Sequence, residues 1–320
     1  MLAGASLAVG SLPVAASGAA DVPPPLTPVR LLTAWAFEPL PVVFLVVIAA
    51  VYLYGLHRLH ARGDRWPVSR TLLFLVGGIG TIAVATLSSL ATYDETLLSV
   101  HMMQHMLLSM VAPIFLALGA PITLALRTLP LPWRRRLLAL LHSRVAKVLT
   151  YPAVAGAIFV ANPFALYFTG FYDATLRHPL LHDFNHLHFL VVGCLWFWPL
   201  LGLDPMPMRL SYPMRMIATF VTMPFHAFLG ITVMGSTHLI GGDWYRALGR
   251  TWGPSLASDQ VLAGGILWAS GDLLGVIVFV ALFVQWMRAS DREARRVDRQ
   301  LDRLEAEAQA RTTAPGVVSR

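Results

Sequence analysis

The chain has 320 residues, of which 56% are hydrophobic and only 13% charged, with a mean hydropathy of +0.63. Soluble domains carry about 25% charged residues, so these charges cannot cover a water-facing surface and a soluble globular fold is excluded. The net charge of +7 does not mark a nucleic-acid binder, because the arginines stand between apolar runs, where membrane topology places them.

Residues 1–27 are rich in Ala, Gly, Ser and Pro and read as an outer tail. The stretch Ser17-Gly18-Ala19-Ala20 has the small residues of a signal-peptidase site but no preceding Lys or Arg, so a cleaved leader is the lesser reading. Apolar runs follow at 38–58, 70–92, 97–126, 148–171, 182–203, 212–237 and 258–287. Each exceeds the roughly 20 residues a span requires. Helices are expected, because unpaired backbone in hydrocarbon is too costly. The prediction is an all-α, polytopic membrane bundle of seven transmembrane helices. It divides into an outer tail (1–37), a membrane domain (38–287) and a charged tail (288–320). In that last tail, acid–arginine pairs such as Asp291/Arg295 at helical spacing predict a solvated helix prolonging the last span, with a docking surface as the second reading. Twenty of the 24 Lys and Arg residues fall on one side of this topology. The positive-inside rule then places the N-terminus outside and the C-terminus in the cytoplasm. Trp196 and Trp198 are expected as interfacial anchors near the inner end of the fifth span. The single cysteine, Cys194, permits no intrachain disulfide and is expected to pack.

Chemistry is expected where the histidines cluster. The third span opens His101-Met102-Met103-Gln104-His105-Met106, and residues four apart share a helix face. The fifth span opens with His178, His182 and His186 at the same step, followed by His188 on another face. Both spans run inward, so the two sets lie at one depth near the outer surface. The sixth span ends near Met234 and His238, and the seventh begins with Asp259-Gln260. Ionisable groups in a span are expensive and read as functional. Imidazole with thioether suits copper, Cu(I) above all. The expected ligands are His101, His105, His186 and His182, with Met102, Met106, His188 and His238 as lesser members. Asp259 fits either an acceptor orienting a histidine or an interfacial cap, and Gln260 stands beside it. His226 and Asp272 lie deeper, as a helix-linking pair, a proton relay or separately buried groups.

The run from His101 to Leu108, with Ala112-Pro113 and Gly119-Ala120-Pro121, resembles the signature of the caa3-type cytochrome c oxidase assembly factor family, CtaG. His186 to Pro199 is similar to its histidine, glycine and tryptophan block. Asp259-Gln260 with Ala263-Gly264 and Trp268 is similar to its last block. The resemblance covers roughly residues 38–287 and departs at Asn185, where an acid is expected before His186. It implies a non-enzymatic factor in a bacterial plasma membrane that matures copper centres of haem–copper oxidase. His101, His105 and His186 match the family's histidines, and Asp259 and Gln260 its last block. Implied partners are oxidase subunits, lipid and a copper donor, with a homo-oligomer left open.

Two other functions compete. Facing histidines on two spans are also what a bis-histidine haem protein needs. A copper or proton transporter through His226 and Asp272 is the other. A retinal receptor is excluded, because the last span has no lysine.

Overall fold

The computed structural model describes residues 22–208 and 210–313. The leader-like stretch at 17–20, Arg209 and Arg320 lie outside them. The described residues form helices and connecting turns, with no strand among them. Six helices are long and apolar enough to cross a membrane, and a seventh span results if one bent pair is counted as a crossing.

Helix α1 (Pro39–His60) starts with Pro39 in its first turn, where the missing N–H costs nothing. Its buried residues Leu45, Tyr52, Gly55 and Leu59 lie along one stripe. Val43, Val46, Val47 and Val51 are exposed, so the rest of the helix faces lipid. Tyr52 ties the stripe inward: its hydroxyl donates to the Gly119 carbonyl at 3.1 Å and its ring stacks on Phe74.

Helix α2 (Val68–Tyr93) contains a π-helical turn over Leu73–Ile79. Gly77 and Gly78 lie in that turn, and a Cβ there would come within 2.7 Å of Phe115 and 2.6 Å of Leu116. This close approach seats α2 against α3 (Leu98–Leu118). Helix α3 is the central one: 72% of its apolar window is buried, against 11% for α1. Pro113 has no N–H to offer the carbonyl four residues earlier, at Ser109. The helix widens to a π turn over Leu107–Val111 at this point. Gly193 packs against that carbonyl, where a Cβ would lie 2.1 Å from the oxygen. The long third run breaks after Leu118: Ala120 adopts a left-handed φ of 48°, and a short helix, Pro121–Thr128, follows.

The fourth run also differs from expectation. Helix α4 (Pro152–Tyr167) meets α5 (Phe171–Arg177) at a 67° bend. Helices α6 (Pro179–Leu201), α7 (Tyr212–Gly235) and α8 (Leu256–Thr313) complete the bundle. Helices α7 and α8 pack closely, with a Cβ on Gly230 falling 2.7 Å from the Gly264 carbonyl oxygen. Trp196 is no interfacial anchor: it is buried and stacked on Phe159 at 5.7 Å, beside the space that Gly156 leaves. Trp198 donates to Asp204 at 2.9 Å.

The two ends of the bundle are distinct. At one, Arg62 donates to the Arg127 carbonyl and Arg127 pairs with Asp64, joining the loops after α1 and α3. At the other, Asp259 at the start of α8 accepts from the Leu98 amide at 2.7 Å and the Ser99 hydroxyl at 2.5 Å, capping α3.

Candidate metal centre

The turn between α2 and α3 reads Tyr93-Asp94-Glu95-Thr96-Leu97. Three bonds fix it. The Tyr93 hydroxyl donates to the Pro24 carbonyl (2.7 Å), the Trp244 indole donates to the Glu95 carbonyl (2.9 Å), and the Glu95 amide donates to Asp94 Oδ1 (2.8 Å). Asp94 Oδ2 is left facing α6, 2.9 Å from His182 Nε2 and 3.8 Å from His186 Nε2.

His182 and His186 are one turn apart on α6, so their rings meet with centroids 4.4 Å apart. One ligand atom from each of Asp94, His182 and His186 lies within 4.8 Å of the others. His101 of α3 approaches from the other side, its ring centroid 6.0 Å from that of His182 and 4.9 Å from that of Tyr172. Tyr172 is itself held by the Tyr245 hydroxyl at 2.7 Å.

The polar accounting is incomplete here. The bond to Asp94 puts the His182 proton on Nε2 and leaves a lone pair on Nδ1. That Nδ1, His186 Nε2 and both nitrogens of His101 are buried with no hydrogen-bond partner. Each such group costs about 1–3 kcal/mol, and native interiors contain few of them. A neutral imidazole has one N–H and one lone pair, so the Asp94–His182–His186 cluster, with His101 next to His182, has the chemistry to hold a cation. Imidazole with carboxylate accepts copper, zinc or iron.

The surroundings are acidic. Burial pushes the Glu95 carboxyl above its usual range; His182 opposes this and Asp94 adds to it. Glu38, at the start of α1, and Asp183 act electrostatically on the same group of charges. A small cavity of about 100 Å³ is lined by Asp94, Glu95, Thr96 and Trp244. A larger apolar groove of about 290 Å³ runs between α1 and α6, with His186 and Asp183 in its wall.

The sequence-predicted residues divide. His101, His182 and His186 converge. His105, one turn deeper, bonds through Nδ1 to the Tyr167 hydroxyl at 3.0 Å and packs on Phe189 at 3.6 Å. The Met102 sulfur takes the Tyr167 hydroxyl at 3.6 Å, and Met106 is buried in the core. His188 turns away to Asn162 at 2.8 Å. His238 is exposed, and its carbonyl accepts from Gln260, which also binds the Ile240 amide and the Val233 and Ser236 carbonyls. Asp259 and Gln260 thus hold helix ends and loops together, and neither bonds a histidine ring among the described residues. Asp272 takes the Trp268 indole at 2.9 Å.

Asp94 is the group that sequence reading missed. One signal was available: an acidic pair, Asp94-Glu95, in the turn leading into a histidine-bearing span of a chain with only 17 acids. It also supplies a carboxylate beside His186, where Asn185 stands next to it in sequence.

Three relatives are similar along most of the chain. Uncharacterized proteins of Mycobacterium bovis (Mb0105) and Mycobacterium tuberculosis (MT0111) are 42% identical over 289 residues. One of Mycobacterium leprae (ML1998) is 38% identical over 290. Each alignment covers 88% of this chain and 44% of the relative, so the chain spans less than half the length of the relatives it matches. No solved structure matches it. The profile of the cytochrome c oxidase caa3 assembly factor family (Caa3_CtaG) matches residues 50–289. With three quarters of its length inside that match, the chain belongs to the caa3 cytochrome c oxidase assembly factor family.

Proposed function

We propose that this membrane protein binds copper at the Asp94–His182–His186 centre, with His101 as a further donor, and passes it to an apo-oxidase subunit by ligand exchange. The observation that carries the reading is the Asp94–His182–His186 cluster, in which His182 and His186, like the neighbouring His101, have buried imidazole nitrogens with no hydrogen-bond partner. Copper is the cargo here. The side chains hold it, and no bond is made or broken other than those to the metal. Family membership supports the oxidase as recipient. The acids Glu38, Glu95 and Asp183 attract cations to the centre. The arginine-rich loops at the opposite end of the bundle support an orientation with the centre outside and the C-terminus in the cytoplasm. The carboxylate makes the donor set harder than imidazole and thioether alone, so it suits Cu(II) as well as Cu(I). The Met102 sulfur is held by Tyr167 and is a candidate for the exchange path only once that contact opens.

A bis-histidine haem fits these rings less well. The His182 ring lies 4.4 Å from His186 and 6.0 Å from His101, and His101 lies 4.9 Å from Tyr172, which is too close for a porphyrin plane between His182 and either neighbour. The test is copper content of purified, copper-loaded protein, wild type against His182→Ala/His186→Ala, with His188→Ala as control. Wild type and control are expected to retain stoichiometric copper, and the double variant about a tenth of it or less. Equal copper in all three proteins would refute the site. A strong Soret band without copper would replace the reading with haem.

A further inference from the structure

Helix α8 is 58 residues long, about 87 Å at 1.5 Å per residue. Its first turn caps α3 at the metal end, and its last part projects from the opposite end of the bundle. Every residue from Ser290 to Glu307 is exposed. Along that stretch Ala294, Val297, Leu301 and Leu304 recur at alternating steps of three and four. The same stripe continues Phe283 and Met287 of the span. Val297, Leu301 and Leu304 are 43%, 52% and 62% exposed, a graded loss of cover on residues that gain nothing from water. An apolar stripe of this period is the seam along which two helices pack.

The charges are sorted around the stripe. The positions flanking it on both sides are Asp291, Glu293, Asp298, Gln300, Glu305 and Glu307, with no base among them. The arginines, Arg292, Arg295, Arg296, Arg299 and Arg303, all lie on the opposite face. A helix stabilised only by its own acid–arginine pairs has no use for an apolar stripe in water. Flanking charges set partner choice in such seams. In a parallel pair of two copies, Glu293 would face Asp298; in an antiparallel pair, flank would meet like flank. Both arrangements set acid against acid, which is repulsive. An anionic lipid surface would attract the arginine face and leave the stripe in water. We infer that the stripe of α8 is a docking face for an α-helix of another protein. That partner carries apolar residues at the same spacing and Lys or Arg on both flanks.

The test uses the full-length protein in lipid nanodiscs and two designed helical peptides, each about four heptads long, with the same Leu/Val seam. One carries Lys at every flanking position and the other Glu. Fluorescence anisotropy is expected to show the Lys peptide binding at least about tenfold more tightly than the Glu peptide, with the difference shrinking at high salt. Leu301→Asp/Leu304→Asp should abolish that binding; both residues are exposed, so the fold is not at risk. Arg295→Gln/Arg299→Gln should not weaken it. Equal binding of the two peptides, or binding that survives the aspartate variant, overturns the inference. So does efficient disulfide-linked dimerisation of a Leu301→Cys protein, which would make a second copy the occupant.

Discussion

Two buried carboxylates, one at each end of the bundle, teach opposite lessons. Asp204 lies at the arginine-rich end and accepts from the Ile122 and Thr123 amides, the Thr123 hydroxyl and the Trp198 indole. It caps the short helix Pro121–Thr128 and pins it to the turn after α6. Its lone pairs are used by donors that belong to the fold. Asp94 lies at the histidine end and meets two imidazoles, of which His182 Nδ1 and His186 Nε2 have no hydrogen-bond partner. Both acids are about equally buried, at 4% and 3% exposure, so burial alone does not separate structure from function. The state of the neighbours does. A carboxylate whose partners are satisfied holds helices together, whereas one whose partners are left open awaits a ligand.

The sharpest way to break this comparison is to make the same change at both ends. Asp204→Asn places an amide against several buried donors and should cost about 3 kcal/mol, read as a lower unfolding temperature in detergent. Copper bound per folded molecule should stay unchanged. Asp94→Asn keeps a carbonyl for His182 but removes the charge, so copper content should fall about tenfold or more, with apo-protein stability within about 1 kcal/mol of wild type. If both variants lose stability and keep copper, Asp94 is a structural acid and the contrast disappears. A smaller effect sharpens the same point. His101→Phe removes two unpartnered nitrogens from among Tyr167, Tyr172 and His182. It should leave the apo protein equally stable or up to about 1 kcal/mol more stable, while weakening copper binding. A clear drop in apo stability would mean that His101 serves packing and that its nitrogens are not waiting for a cation.

The sequence carried the helices well, because length and hydropathy decide them locally. It carried His182 and His186 too, since four-residue spacing on one helix is enough to stack two rings. It could not separate His101 from His105, which share a face of α3. That choice is made by Tyr167, which arrives from α4, packs edge-on against His101 and hydrogen-bonds only the deeper ring. Asp94 was equally hidden, because its role depends on the α2–α3 turn lying against α6, 88 residues further along the chain. Asp259 fitted either an acceptor orienting a histidine or a cap in sequence, and its carboxylate is spent on the amide and hydroxyl at the start of α3. Trp196 followed the rule for interfacial tryptophans in sequence. The rule lost to the space beside Gly156, where burying a large ring gains more than an edge position. In each case the deciding partner lies on a different helix.

The mildest expected effect tests whether the acids near the centre act as ligands or only as a field. Glu38 and Glu95 make no hydrogen bond to a histidine, but both act electrostatically on the group formed with Asp94 and His182. A field of this kind raises the rate at which cations arrive and leaves the bound complex nearly unchanged. Glu38→Gln/Glu95→Gln should therefore slow copper capture by about threefold at low ionic strength, and by less near 0.15 M salt, where charges more than about 8 Å apart are screened. Copper content at saturation should equal that of wild type. Stopped-flow uptake and end-point metal analysis on the same samples separate the two quantities. Loss of bound copper at saturation would place a glutamate in the coordination sphere. The centre would then extend into the cavity between Glu95 and Trp244, and the boundary drawn above between ligands and their surroundings would move outward by one residue.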